Sequence, residues 1–160
     1  MTQVLPKVSL RPATELDLEL MMAWRSNPLV YAGFYTQQAP LTWEEHWKWW
    51  HNRGPWWKVF IIQYNDIETR LRDVGVVTIG QLEHWSPELG YYVGEVSLWG
   101  KGIGREAVRL ALQYIKRYGR EYAHTTILVN NSRSIQLIES LGFKRFGCAR
   151  VGESWYQVAL

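Results

Sequence analysis

The sequence predicts an α/β (α+β) protein with a mixed, mostly antiparallel sheet and helices on both faces. Three observations carry this. Strand-like and amphipathic runs follow the order strand, helices, three strands, helix, strand, helix, two strands. Connections among the three central strands are short, which suits antiparallel pairing. The stretch from Pro87 to Asn130 reads strand–helix–strand, the signature of a parallel, right-handed crossover. One domain over residues 1–160 is expected at this length.

Val8 to Pro12 is the first strand. Thr14, with Asp17 three residues on, is a helix cap, and Leu16, Leu20, Met21 and Trp24 share a face of the helix that ends near Asn27-Pro28. A short helix covers Leu29 to Phe34. Thr42-Trp43-Glu44-Glu45 is a capping box opening a helix to about Trp50, which Asn52-Arg53-Gly54-Pro55 breaks. Lys58 to Tyr64, Asp73 to Leu82 and Pro87 to Val96 are strands, the first two joined by a polar turn over Asn65 to Arg72. An amphipathic helix runs from Gly102 to about Tyr118. Thr125 to Asn130 is the next strand, and Ser132 to Leu141 the next helix, stopped by Gly142. Two strands, about Lys144 to Glu153 and Trp155 to Ala159, close the sequence.

Hydrophobic residues make up 47% and charged residues 21% of the chain, a globular balance. No apolar run reaches the roughly 20 residues of a membrane span, and the N-terminus lacks an apolar signal-peptide core. The single cysteine, Cys148, forms no internal disulfide, is expected to be a small buried residue, and points to a cytoplasmic location. A net charge of +3 suits a small anionic ligand, and no basic run with interleaved aromatics suggests nucleic acid. His46, His51, His84 and His124 lack metal-ligand spacing, so no metal is expected. Most of the ten tryptophans crowd between Trp43 and Trp57. Trp43, Trp47 and Trp50, at helical spacing, read as a core or interface face. The sharper reading has Trp49, Trp56 or Trp57 walling an acceptor pocket. Monomer and homodimer are both open.

The segment Leu98-Trp99-Gly100-Lys101-Gly102-Ile103-Gly104-Arg105-Glu106-Ala107 lies between a strand and a helix. Alternating glycines let backbone N–H groups converge, and the helix start adds unpaired donors and partial positive charge, a seat for a phosphate. A Walker loop is excluded, because five residues separate Gly94 from Gly100 and Gly102 stands where Ser or Thr is required. Gly102-x-Gly104-x-x-Ala107 matches a dinucleotide fingerprint formally, but antiparallel strands precede it. A nicotinamide oxidoreductase is therefore a distant alternative.

"WGKGIGREAV" resembles motif A of the GNAT superfamily of N-acetyltransferases, with Trp99 where the family pattern has Gln or Arg. "VNNSRSIQLIESLGF" resembles motif B through Asn131, Ser134, Gly142 and Phe143. The predicted strand order fits the GNAT fold. "MMAWRSNPLVYAGFYTQQAPLTWEEHWKWW" is similar to the opening of GNAT enzymes acting on nucleotide-linked amino sugars, a pattern largely shared with ribosomal-protein N-terminal acetyltransferases.

The resemblance implies transfer of acetyl from acetyl-CoA to a primary amine: a protein N-terminus, an amino sugar or a small metabolite. It places the diphosphate on Gly100, Lys101, Gly102, Ile103, Gly104 and Arg105, beside Trp99. The pantetheine arm lies where a central parallel strand pair splays, with Gly90 and Gly94 marking a bulge or bare backbone. A backbone N–H near Tyr92 or Val93 faces the thioester oxygen. Asn131 and Ser134 either bond the cofactor or cap the helix locally. Glu88 is the candidate base, sharing a strand face with Gly90 and Tyr92, with Glu95 as a rival. The tyrosine that many members carry seven residues after the motif-B Asn is Ile138 here, so Tyr156 and Tyr92 are the candidate acids. The same departure motivates an alternative, a non-catalytic acyl-CoA-binding module. Arg25 is a candidate for an acceptor phosphate or carboxylate. Cys148 as an acyl-carrying nucleophile is disfavoured.

Overall fold

Seven strands, β1 (Val8–Pro12), β2 (Lys58–Asp66), β3 (Arg70–Gly80), β4 (Glu88–Val93), β5 (Tyr122–Leu128), β6 (Lys144–Gly147) and β7 (Glu153–Ala159), form one sheet in the order β1-β2-β3-β4-β5-β7-β6. Among the described residues only β4 and β5 pair in parallel; every other neighbouring pair is antiparallel. Five helices, α1 (Leu18–Arg25), α2 (Pro28–Tyr31), α3 (Trp43–His51), α4 (Ile103–Arg117) and α5 (Ser132–Glu139), complete the architecture. The structure, a computed structural model, describes residues 7–66 and 70–160. The centre of the expected polar turn, residues 67–69, lies outside them, as do residues 1–6.

Two apolar layers hold the sheet. On one face α4 buries Ile103, Ala107, Val108, Ala111 and Ile115, spaced for a single helical stripe, against Ile62, Val77, Ile79 and Leu89. On the other, Met21 and Trp24 of α1 pack on Val59, Ile61 and Val76, joined by Trp49, Trp50 and Tyr92. Because β2 and β3 are covered on both faces, their centres read as continuous apolar runs rather than alternating ones.

Several expectations shift. A short 3₁₀ turn, Glu15–Asp17, precedes α1. Asp17 accepts the Thr14 N–H at 2.7 Å and pairs with Arg11 at 2.7 Å, and Arg11 also pairs with Asp73 at 2.6 Å. That anchor rotates the helix so that Leu18, Met21 and Trp24 turn inward while Leu16, expected inside, is 94% exposed. In α3 the capping box forms as read, with Thr42 Oγ1 accepting from Glu45 N–H at 3.2 Å. Yet Trp43 and Trp47 are exposed and the residue buried there is His46, whose Nε2–H donates to Leu18 C=O at 3.0 Å.

The short helix after Asn27 is Pro28–Tyr31, and β2 and β3 extend into the polar stretch, to Asp66 and from Arg70. β5 begins at Tyr122 and ends at Leu128, earlier than predicted. The predicted strand from Lys144 to Glu153 stops at Gly147, and Glu153 opens β7. Cys148, expected to be buried, is exposed and its Sγ accepts from Arg145 Nη2 at 3.0 Å.

Candidate active site

The site begins where β4 and β5 part. Their register holds a single pair, Glu88 with His124, closed by a bond from His124 N–H to Pro87 C=O at 3.0 Å. His124 Nδ1–H also donates to Ser86 C=O at 2.8 Å, and Gln157 Nε2 to Ser86 Oγ at 3.2 Å, which tie the closed end together. Beyond this vertex the strands diverge. β4 ends at Val93 because Gly94 and Glu95 turn both their N–H groups onto Val74 C=O, at 2.8 and 3.2 Å. The Trp24 ring occupies the space of a Gly94 Cβ, so only glycine fits there. The anticipated bulge is not in β4, whose register with β3 is continuous. It falls between Ile62 and Gln63 of β2, opposite the extra residue Val74.

Backbone groups alternate along a strand. Gly94 N–H points at β3, so Tyr92 shares that direction, and Tyr91 and Val93 present theirs to the opened side. Val93 C=O confirms the sense, because it accepts from Trp99 Nε1 at 2.8 Å. Of the two residues expected to offer a donor to the cleft, Val93 therefore does so through its N–H, whereas Tyr92 contributes its side chain.

Two cavities flank this opened edge and share Gly33, Phe34, Tyr91, Tyr92, Asn131 and Ser134. The larger, about 740 Å³, reaches the glycine loop. Gly100 and Gly102 have φ of +80° and +78°, and a Cβ on either would enter open space. The loop thus leaves a bare concavity at the start of α4, suited to a diphosphate. Trp99, Gly104, Ile103 and Arg105 line it, with Val93, Tyr92, Asn131 and Ser134, but the exposed Lys101 does not. Asn131 takes the capping role: its Oδ1 accepts from Ser134 N–H at 3.2 Å, and its Nδ2 donates to Gly33 C=O at 3.3 Å. Arg133, which the sequence reading passed over, also lines this cavity.

The second cavity, about 470 Å³, is walled by Arg25, Phe34, Tyr35, His46, Trp49, Trp57, Glu88 and Tyr92. Glu88 Oε1 accepts from the Tyr35 hydroxyl at 2.8 Å. Burial and the Glu88 charge push the Tyr35 pKa up, so Tyr35 stays a donor. Arg25 lies 5.3 Å from the Phe34 ring centroid and donates through Nε to Gln37 Oε1 at 3.1 Å. Burial lowers its pKa. The buried Tyr92 hydroxyl has no hydrogen-bond partner among the described residues, and burial raises its pKa. His46, its Nε2–H committed to Leu18, keeps an unpaired Nδ1, and burial, with Arg25 nearby, lowers its pKa.

Three predicted residues fall elsewhere. Tyr156 sits in the core on the α4 side, 5% exposed, because strand alternation turns it away from the cleft. Trp56 is on the surface, lining neither cavity. Glu95, the rival base, accepts from Trp24 Nε1 at 2.9 Å. Tyr35, which the sequence did not single out, is placed by a loop without periodicity, and His46, read in advance only within the N-terminal family pattern and as no metal ligand, by a helix whose face the tryptophans masked. Among the described residues no cluster of three potential metal ligands exists.

Residues 7–144 match the profile described as an acetyltransferase (GNAT) domain. The chain belongs to the GNAT acetyltransferase family. It is 48% identical over 157 residues to uncharacterized protein MJ1062 of Methanocaldococcus jannaschii, covering 96% of this chain and 31% of that protein. A crystallised domain from Methanocaldococcus jannaschii DSM 2661 is 49% identical with a TM-score of 0.92, over 96% of this chain and 99% of that one. Two more distant structures share the fold. One is aminoglycoside acetyltransferase AAC(6')-Ib with coenzyme A, at 18% identity and TM-score 0.80 over 95% of this chain and 94% of that one. The other is spermidine N-acetyltransferase from Vibrio cholerae with CoA and spermine, at 17% and 0.79 over 96% and 95%. In this GNAT domain the splayed β4–β5 pair and the loop before α4 border the larger cavity.

Proposed function

We propose that this GNAT domain transfers acetyl from acetyl-CoA directly to a primary amine held in the 470 Å³ cavity. The observation that carries it is the junction of the two cavities at the open edge of β4, with Glu88 on the second side of the meeting point. The co-substrate is acetyl-CoA, which supplies an acetyl group activated as a thioester. The bare glycine loop and the start of α4 fit its diphosphate, and Val93 N–H is the donor aimed at the acyl end.

An amine attacks only as the free base, so a carboxylate at the acceptor side has a task. Glu88 takes the amine proton, directly or through water, and Tyr35 holds that carboxylate in place. Trp49 and Trp57 wall the acceptor with rigid aromatic surface. Arg25, a half-buried guanidinium with no carboxylate paired to it among the described residues, matches an acidic group carried by the acceptor. Ile138 and Tyr156 are both core residues, so neither the family's usual position nor β7 offers an acid for the leaving thiolate. Tyr92, kept protonated by burial at the junction, is the remaining one.

Calorimetric titration with acetyl-CoA, CoA and NAD, followed by thiol release with peptides and amino-sugar nucleotides, tests this reading. Acetyl-CoA binding with amine-dependent CoA release supports it. Binding without turnover of any amine supports a non-catalytic acyl-CoA module, and absent binding sinks the reading.

A further inference from the structure

A diphosphate in the glycine loop needs cationic partners, and the loop itself supplies few. Lys101 is exposed and does not line the cavity. Arg105 lines it, but its Nε donates to Ser140 Oγ at 3.1 Å, which turns the guanidinium toward the end of α5. Arg109, one turn further, is paired with Glu106. At Trp99, where the family pattern carries Gln or Arg, the side chain is uncharged.

Arg133 stands in the gap. It projects from the first turn of α5, lines the cofactor cavity, and carries its guanidinium carbon 4.5 Å from the Trp99 ring centroid. No ion pair among the described residues involves it. The indole beneath is not free to move, because its Nε1 is bonded to Val93 C=O at 2.8 Å. The contact with the ring uses the charge of the guanidinium and no hydrogen bond, so its N–H donors stay available to phosphate oxygens. Arg133 is thus a cation held on an anchored platform beside Gly100 and Gly102, whose surroundings are open.

We propose that Arg133, held over Trp99, binds the diphosphate of CoA, so that α5 supplies a cation that the glycine loop lacks. Trp99 is the platform and Arg133 the ligand. The proposal rests on acyl-CoA as the co-substrate and concerns which side chains hold it.

The test is calorimetric titration of the wild-type protein, Arg133→Gln, Trp99→Leu and the double variant with CoA and with 3′-dephospho-CoA, at low and high salt. Melting curves accompany each. Arg133→Gln is expected to weaken both ligands alike, about tenfold at low salt and less at high salt, with an unchanged melting temperature. Trp99→Leu is expected to weaken both, and the double variant to lose no more than the larger single loss, because the pair acts as a unit. Wild-type affinity in Arg133→Gln overturns the proposal, as does a loss confined to CoA, which would move Arg133 to the 3′-phosphate. Fully additive losses overturn the platform. Should Trp99→Leu fail to fold, Arg133→Gln alone decides. A wild-type protein that binds neither ligand takes down the acyl-CoA reading itself, an outcome distinct from a variant that binds as well as wild type.

Discussion

The two cavities that meet at Tyr91 and Tyr92 are built from different materials. The larger is centred on backbone: a loop with two left-handed glycines, the start of α4 and the unpaired edge of β4. The second side is mostly side chains, drawn from α1, the segment after α2, α3, β4 and the loop before β2. Peptide groups present the same donors whatever residue carries them, so the first can hold one constant chemical group. The second takes its shape and charge from each residue, so substitutions there change what it can hold. The difference teaches that damage on the two sides should separate cleanly in kinetics.

The largest expected break in that comparison is Glu88→Gln. The isosteric amide keeps the Tyr35 contact but cannot accept a proton, so kcat/KM for the amine should fall by about 100-fold or more. The dissociation constant for CoA should not change. Equal loss in both would show that Glu88 shapes the cleft instead. Next come Arg25→Gln and Trp49→Ala, each expected to raise the acceptor KM by about tenfold with CoA affinity intact. Gly102→Ala probes the other side. Its φ of +78° strains any Cβ-bearing residue, so CoA binding should weaken by several-fold to about tenfold while acceptor KM holds.

The smallest effect concerns pH. His46 in the fold has a pKa below its ordinary value of 6.5, because burial disfavours the imidazolium. As pH falls below about 6.5 the unfolded chain takes up a proton that the folded chain refuses, so stability falls with pH down to the folded pKa and then levels. Above 6.5 the contribution is fully present. Between pH 7 and 5 the melting temperature of the wild type should drop about 2 °C further than that of His46→Gln, which can still donate to Leu18 C=O. Parallel curves for the two proteins would remove His46 as the source.

What could be read in advance follows the same division. The caps at Thr14 and Thr42, the order of strands and helices, and the glycine loop are contiguous in sequence, and each was legible because a few neighbouring residues decide it. The register of α1 was not, because Arg11 reaches from β1 to hold both Asp17 and Asp73 and so turns Leu18 inward in place of Leu16. Tyr156 was misplaced because its face depends on pairing with β5, fixed by Thr125 opposite it.

By itself, then, the sequence determined the family, the crossover that places a loop at the mouth of a splayed strand pair, and the glycine loop at the start of α4, since φ angles, helix starts and free N–H groups are local properties of the chain. Only the tertiary structure decided that Arg133 and not Lys101 lines the larger cavity, that His46 and not Trp43 is buried, and that Tyr35 meets Glu88 across 53 residues. These depend on where side chains from distant segments converge, which packing and register settle and no local pattern encodes.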